Sequence, residues 1–258
     1  MNTDEMELYT GENYYRKTKR LDLPELSLNG QRGVFKKGES LRKKGGEGWQ
    51  SEEIQGEVSG VFLRIRKILK DYKSEMWTPE FNSNTDEINL FQGFGKGRVI
   101  LDSGKASEIR TKYKSLRTHQ IVYFLMNNNE IVRLIVKGAS FGSEKKSDKT
   151  VSFYDYLSSF IGDEHVWQYY TKLEPVKEVS TLGTYYAIHF ERGNKLNDEE
   201  LEIVKNESKK IHESIVSLDA DVKKQNENRE PLPKEKDETI DTEQKEPTEI
   251  KDIDDLPF

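Results

Sequence analysis

Apolar residues are spread unevenly along the 258 residues, and their spacing predicts most of the elements. The clearest signal lies mid-chain. Gln120 to Met126 and Glu130 to Lys137 are two β-branched-rich, nearly continuous apolar runs separated by Asn127-Asn128-Asn129. Asparagine tolerates the left-handed conformations of tight turns, so the pattern predicts a hairpin at the centre of the core. In Val58 to Tyr72, Val61, Leu63 and Ile65 alternate as in a strand, while Val61, Ile65, Ile68, Leu69 and Tyr72 also fit one helical face. Gly56, Gly60 and the β-branched content favour the strand, with Arg64, Arg66 and Ile68 on the face opposite Leu63 and Ile65. Short strands are expected near Glu87–Phe91 and Arg98–Leu101, and further ones at Val166–Leu173 and Thr184–Arg192, with 175–183 as a connection.

Three helices complete the pattern. Lys105 to Leu116 places Ala106, Ile109, Tyr113 and Leu116 at helical spacing and leaves a basic face. Val151 to Ile161 carries an apolar stripe of Phe153, Tyr154, Leu157, Phe160 and Ile161, with Gly162 where a helix ends. A third helix is predicted over 197–218. Asn197 and Glu200 form a capping-box pattern, and Leu196 and Leu201 occupy the positions of a hydrophobic staple. Residues 1–50 are broken by glycines and read as a flexible arm with basic clusters at Arg16–Arg20, Lys36-Lys37 and Arg42–Lys44, interleaved with Tyr9, Tyr14, Tyr15, Phe35 and Trp49. The expected organisation is this arm, a domain over 51–218, and a tail over 219–258. The fold class is mostly β with a few helices, an α+β arrangement.

Composition changes the picture at the C-terminal end. Only 33% of residues are hydrophobic, and beyond Asp219 the large apolar side chains are few and far apart. Such a segment buries too little apolar surface to offset the entropy of ordering. Charge is segregated in the same way. Residues 1–195 carry 31 Lys and Arg against 27 Asp and Glu, whereas 196–258 carry 10 against 20. A net charge of −6 thus conceals a body of +4 and a C-terminal quarter of −10. Nucleic-acid binding has to be judged on the body alone.

Candidate chemistry is sparse. Cysteine is absent and His119, His165, His189 and His212 lack metal-ligand spacing. The glycines of Gly93-Phe94-Gly95-Lys96-Gly97 lack the strand-to-helix context of a phosphate-binding loop. Asp86-Glu87 would point to opposite faces of a strand. The expectation is a protein without catalytic activity, metal or cofactor. With no apolar run of membrane-spanning length and no basic-then-apolar start at Met1, an intracellular, cytoplasmic location is expected.

The chain ends Asp252-Ile253-Asp254-Asp255-Leu256-Pro257-Phe258, an acidic run closed by proline, an aromatic ring and the α-carboxylate. This tip resembles the C-terminus of bacterial and phage single-stranded DNA-binding proteins, which end in aspartates, a hydrophobic residue, proline and phenylalanine. It departs from that pattern at Ile253 and Leu256, and the resemblance covers seven residues. It implies an oligonucleotide-binding (OB) Greek-key β-barrel, with which the β-rich pattern agrees. It also implies sequence-independent coating of single-stranded DNA in replication, recombination or repair, in a bacterium or a phage-infected host. Asp252, Asp254, Asp255, Leu256, Pro257 and Phe258 would then recruit partner proteins. Oligomeric state stays open, a homo-oligomer included. For the strand itself, the basic and aromatic candidates are Arg64, Arg66, Phe94, Lys96 and Arg98, then Lys112, Lys114, Arg117, Phe141 and Lys145. The alternative reading is an adaptor or recombination mediator carrying the same tip but no DNA-binding groove.

Overall fold

A computed structural model of the chain describes residues 23–40, 49–93, 98–141, 150–180 and 183–227. Strands dominate. In chain order they are β1 (Glu25–Asn29), β2 (Val34–Ser40), β3 (Trp49–Ile54), β4 (Val58–Asp71), β5 (Met76–Trp77), β6 (Glu87–Gln92) and β7 (Val99–Lys105). Helix α1 (Ala106–Lys112) precedes β8 (Arg117–Met126) and β9 (Ile131–Val136). Helix α2 (Phe153–Ser158), β10 (Tyr169–Ser180), β11 (Gly183–Lys195) and the long helix α3 (Asp198–Glu227) follow. The strands form an open mixed sheet, ordered β3-β2-β1-β9-β8-β4-β5-β6-β7, with β10 joining β4 and β11 joining β10.

The expected β8–β9 hairpin is at the centre, and Asn129 turns it with a φ of 64°. Its runs are nearly continuously apolar because both faces are covered. Val122, Phe124, Val132 and Leu134 point into the main core, where Phe62, Phe153, Tyr156, Leu173 and Phe190 meet them. That side is roofed by α2 and the β10–β11 hairpin. Ile121, Tyr123 and Leu125 point the other way, toward Val204, Ile211 and Ile215 of α3. The α3 N-terminus is capped as predicted: Asn197 N–H donates to the Glu200 carboxylate at 2.8 Å, and Glu200 N–H donates to Asn197 Oδ1 at 2.9 Å. The helix runs on to Glu227, past the boundary expected near Leu218.

Strand β4 is shared between neighbours. It pairs with β8 along one edge, while its other edge meets β10 at Val58–Gly60 and β5 at Lys70–Asp71. At Gly60 the three strands crowd so closely that a Cβ would lie 2.2 Å from the Leu125 carbonyl oxygen. A register shift after Phe62 makes Leu63 a bulge residue. Leu63 therefore packs on the α3 side and Ile65 on the main core, so the two do not share a face as expected.

Three further sequence-based expectations need correction. Residues 25–40, read as part of an irregular arm, form β1 and β2 and place fully buried Leu26 and Phe35 in the main core. Residues 175–180, read as a connection, continue β10. There Pro175 pairs with Ile188 beyond the point where β10 leaves β4, a place where a missing N–H is tolerated. The helices expected over 105–116 and 151–161 are confined to Ala106–Lys112 and Phe153–Ser158.

Candidate nucleic-acid interface

Strands β1 and β9 run parallel only through Glu25–Ser27 and Arg133–Ile135. Beyond that point they part, and a cleft of about 730 Å³ opens between them. One wall is the β1–β2 turn, from Leu28 to Gln31, and the other runs from Lys137 to Phe141. Tyr185, Tyr186 and Ile188 of β11 close one side, and Arg110, Arg117 and His119 close another. Strand β11 is tied in by Tyr186 N–H to the Gly30 carbonyl at 2.7 Å and Ile188 N–H to Ser140 Oγ at 2.8 Å. Gly33, at φ +65°, lets the Tyr186 ring lie against the turn. A Cβ there would sit 2.5 Å from the ring.

None of the described residues lining the cleft is acidic. Arg117 and Lys70 stand directly opposite each other on the β8–β4 ladder. Like charges in that position destabilise a sheet, so the arrangement concentrates positive charge at a cost in stability. His119 follows two residues along on the same face as Arg117. It is 4% exposed and its Nδ1 has no hydrogen-bond partner. Burial, reinforced by the ammonium groups of Lys137 and Lys70, pushes its pKa down to about 4. The imidazole is therefore neutral at pH 7 in a positive surrounding. Tyr72, at the end of β4, packs on it with ring centroids 5.8 Å apart, and burial together with Glu25 raises its phenol pKa. Glu25 is itself paired to Arg133 at 2.7 Å.

Of the predicted strand-binding residues, Arg117 and Phe141 line this cleft, and Phe141 stands edge-on to Tyr154 at 4.7 Å. Lys114 is exposed between α1 and β8. The others go elsewhere. Arg64 and Arg66 do share a face, but it is the face beneath α3. Arg64 donates to Nδ1 of His212 on α3 at 2.6 Å. Arg66 is 3% exposed and donates to the Glu80 backbone carbonyl at 2.5 Å, which removes it from any groove. The Glu80 carboxylate also binds Arg133 at 2.6 Å and the Tyr123 hydroxyl at 2.7 Å, making a buried ionic knot. Arg98 lies over the rings of Phe91 and Trp77, and Lys112 pairs with Asp102 at 2.7 Å. Phe94, Lys96, Lys145 and the whole tip Asp252–Phe258 lie outside the described residues, as do the basic clusters at 16–20 and 42–44.

Lys70, Tyr72, His119, Lys137, Tyr185 and Tyr186 escaped the sequence-based selection. Period-two alternation across the hairpin could have placed Arg117, His119 and Lys137 on one face. Nothing local connects Tyr185 and Tyr186 to them. Among the described residues, no three His, Asp or Glu side chains converge where they could hold a metal ion, and no helix is long and apolar enough to cross a membrane. Comparison with protein-family models, curated proteins and solved structures finds no match to the chain.

Proposed function

We propose that this protein binds single-stranded DNA without sequence preference and recruits partner proteins through its C-terminal tip. The observation that carries the reading is the cleft, with cations and aromatic rings along its walls and no acid among its described lining residues. Phosphates favour such a surface electrostatically, and bases stack on exposed rings whatever their sequence.

The strand path supports an OB-like body. Strand β4 pairs with β8 and β10, β8 pairs with β9, β10 pairs with β11, and α2 falls between β9 and β10. A five-stranded, partly open Greek-key barrel with one intervening helix would have this connectivity, with β1 lodged beside its third strand. In that fold oligonucleotides bind along the second and third strands and the loops joining strands one to two and four to five. The corresponding segments here are β8, β9, residues 72–116 and the β10–β11 turn. Arg110, Arg117, His119, Lys137 and Tyr185 of the cleft come from or adjoin them.

At the tip, the Phe258 ring would fill an apolar pocket of a partner and its carboxylate would meet a basic side chain, with Asp252, Asp254 and Asp255 adding attraction at range. The test is a titration of labelled oligo-dT with the full chain and with a chain ending at Glu227. Binding tighter than about 10 μM at low salt is expected of both, and its absence from both refutes the DNA-binding reading. Deleting Pro257 and Phe258 should abolish partner capture and leave oligo-dT affinity unchanged.

A further inference from the structure

Single exposed rings are ordinary on protein surfaces and need no explanation. Tyr72 differs in its surroundings. It is 56% exposed at the end of β4, where the chain leaves the sheet. Lys70 Nζ lies 4.3 Å and Lys137 Nζ 5.5 Å from its ring centroid. Its ring packs on His119, tilted 30°. Cation–π attraction accounts for the two ammonium groups. It does not account for the ring's place: His119, on which it packs, and Lys137 both line the acid-free cleft, so the exposed ring stands at the cleft's rim.

We propose that Tyr72, His119, Lys70 and Lys137 form a single-nucleotide subsite at the rim of the cleft. A base of the bound strand stacks on the exposed Tyr72 ring, with His119 supporting the ring from its packed side. The flanking phosphate takes the ammonium groups of Lys70 and Lys137 away from the ring. The subsite rests on the single-strand-binding reading and adds to it a particular ring as a stacking platform.

The experiment is fluorescence anisotropy of labelled oligo-dT with the full-length protein, Tyr72→Phe and Tyr72→Leu, each checked for folding by its thermal melt. Tyr72→Leu should weaken binding by about 5- to 150-fold, the range expected for one base–aromatic stack, while Tyr72→Phe binds within about twofold of the parent. Because no charge is removed, the salt dependence of binding should stay the same in both. A parent that binds and a Tyr72→Leu variant that binds equally well overturn the subsite and leave the DNA-binding reading intact. A parent that does not bind overturns both.

Discussion

Four cations gather at the cleft: Lys70, Arg110, Arg117 and Lys137. If each neutralises one phosphate of a single strand, the slope of log affinity against log salt is about −2.8, since each contact contributes about −0.7. Raising salt from about 50 to 200 mM should then weaken binding about 50-fold. The perturbation is Arg117→Gln with Lys137→Gln, which removes two of the four charges and keeps polar side chains. The slope should fall to about −1.4 and the loss over the same salt range to about sevenfold. Anisotropy of a labelled dT oligomer at four or five salt concentrations measures both slopes. Arg64→Gln serves as the control, because Arg64 is engaged with His212 beneath α3, six residues along β4 from Lys70. Its slope should match the parent's. An unchanged slope in the double variant, or an equal reduction in the Arg64 control, would refute the assignment of the phosphate path to this cleft.

Other outcomes follow from the same geometry. Glu80→Gln takes the shared carboxylate from Arg66 and Arg133, each under 5% exposed, while Arg133 keeps Glu25, and should cost about 3 kcal/mol in urea unfolding. A loss below about 1 kcal/mol would mean the knot is not a charge pair in energetic terms. His119 has a folded pKa of about 4 against an ordinary value of 6.5. The unfolded chain therefore takes up the proton first, so the stability held above pH 6.5 is lost as pH falls from 6.5 toward 4. Between pH 7 and 5 this group should remove about 2 kcal/mol, and His119→Leu should flatten that part of the stability–pH profile. Parallel profiles would contradict it. Asn197→Ala should cost about 1 kcal/mol by opening the α3 capping box, read from the urea midpoint.

What the sequence made legible was what neighbours in the chain decide. The β8–β9 hairpin follows from two apolar runs around three asparagines, and the start of α3 follows from Asn197, Glu200 and the flanking leucines. Strand β1 was invisible for the opposite reason. It is five residues long, and its parallel partner Arg133 lies 108 positions away from Glu25. No local pattern records such a pairing. The bulge at Leu63 is also a tertiary effect, and it decides which β4 side chains α3 covers. Arg64 and Arg66 thus carried the right charge on a face whose covering could not be foreseen. Arg117 and Phe141 reached the cleft as expected, whereas the tyrosines of β11 arrive there only because the β10–β11 hairpin folds back over the core.

The segment between Lys70 and Arg117 enters and leaves the sheet at two residues that face each other on one ladder. It carries β5, β6, β7 and α1 and has a small core of its own, built on Met76, Phe81, Ile88, Leu90 and Ile109 against Leu69. Geometrically it is a cassette, and a tight turn could join Lys70 to Arg117 in its place. The carboxylate of Glu80 belongs to the cassette, however, and the two arginines it pairs with belong to the central strands. Excision would take a carboxylate from beside two buried guanidinium groups and leave Arg133 with Glu25. Any shortened version of this protein would have to restore that negative charge or remove a positive one beside it, so the cassette is interchangeable in its backbone and locked in by its charge.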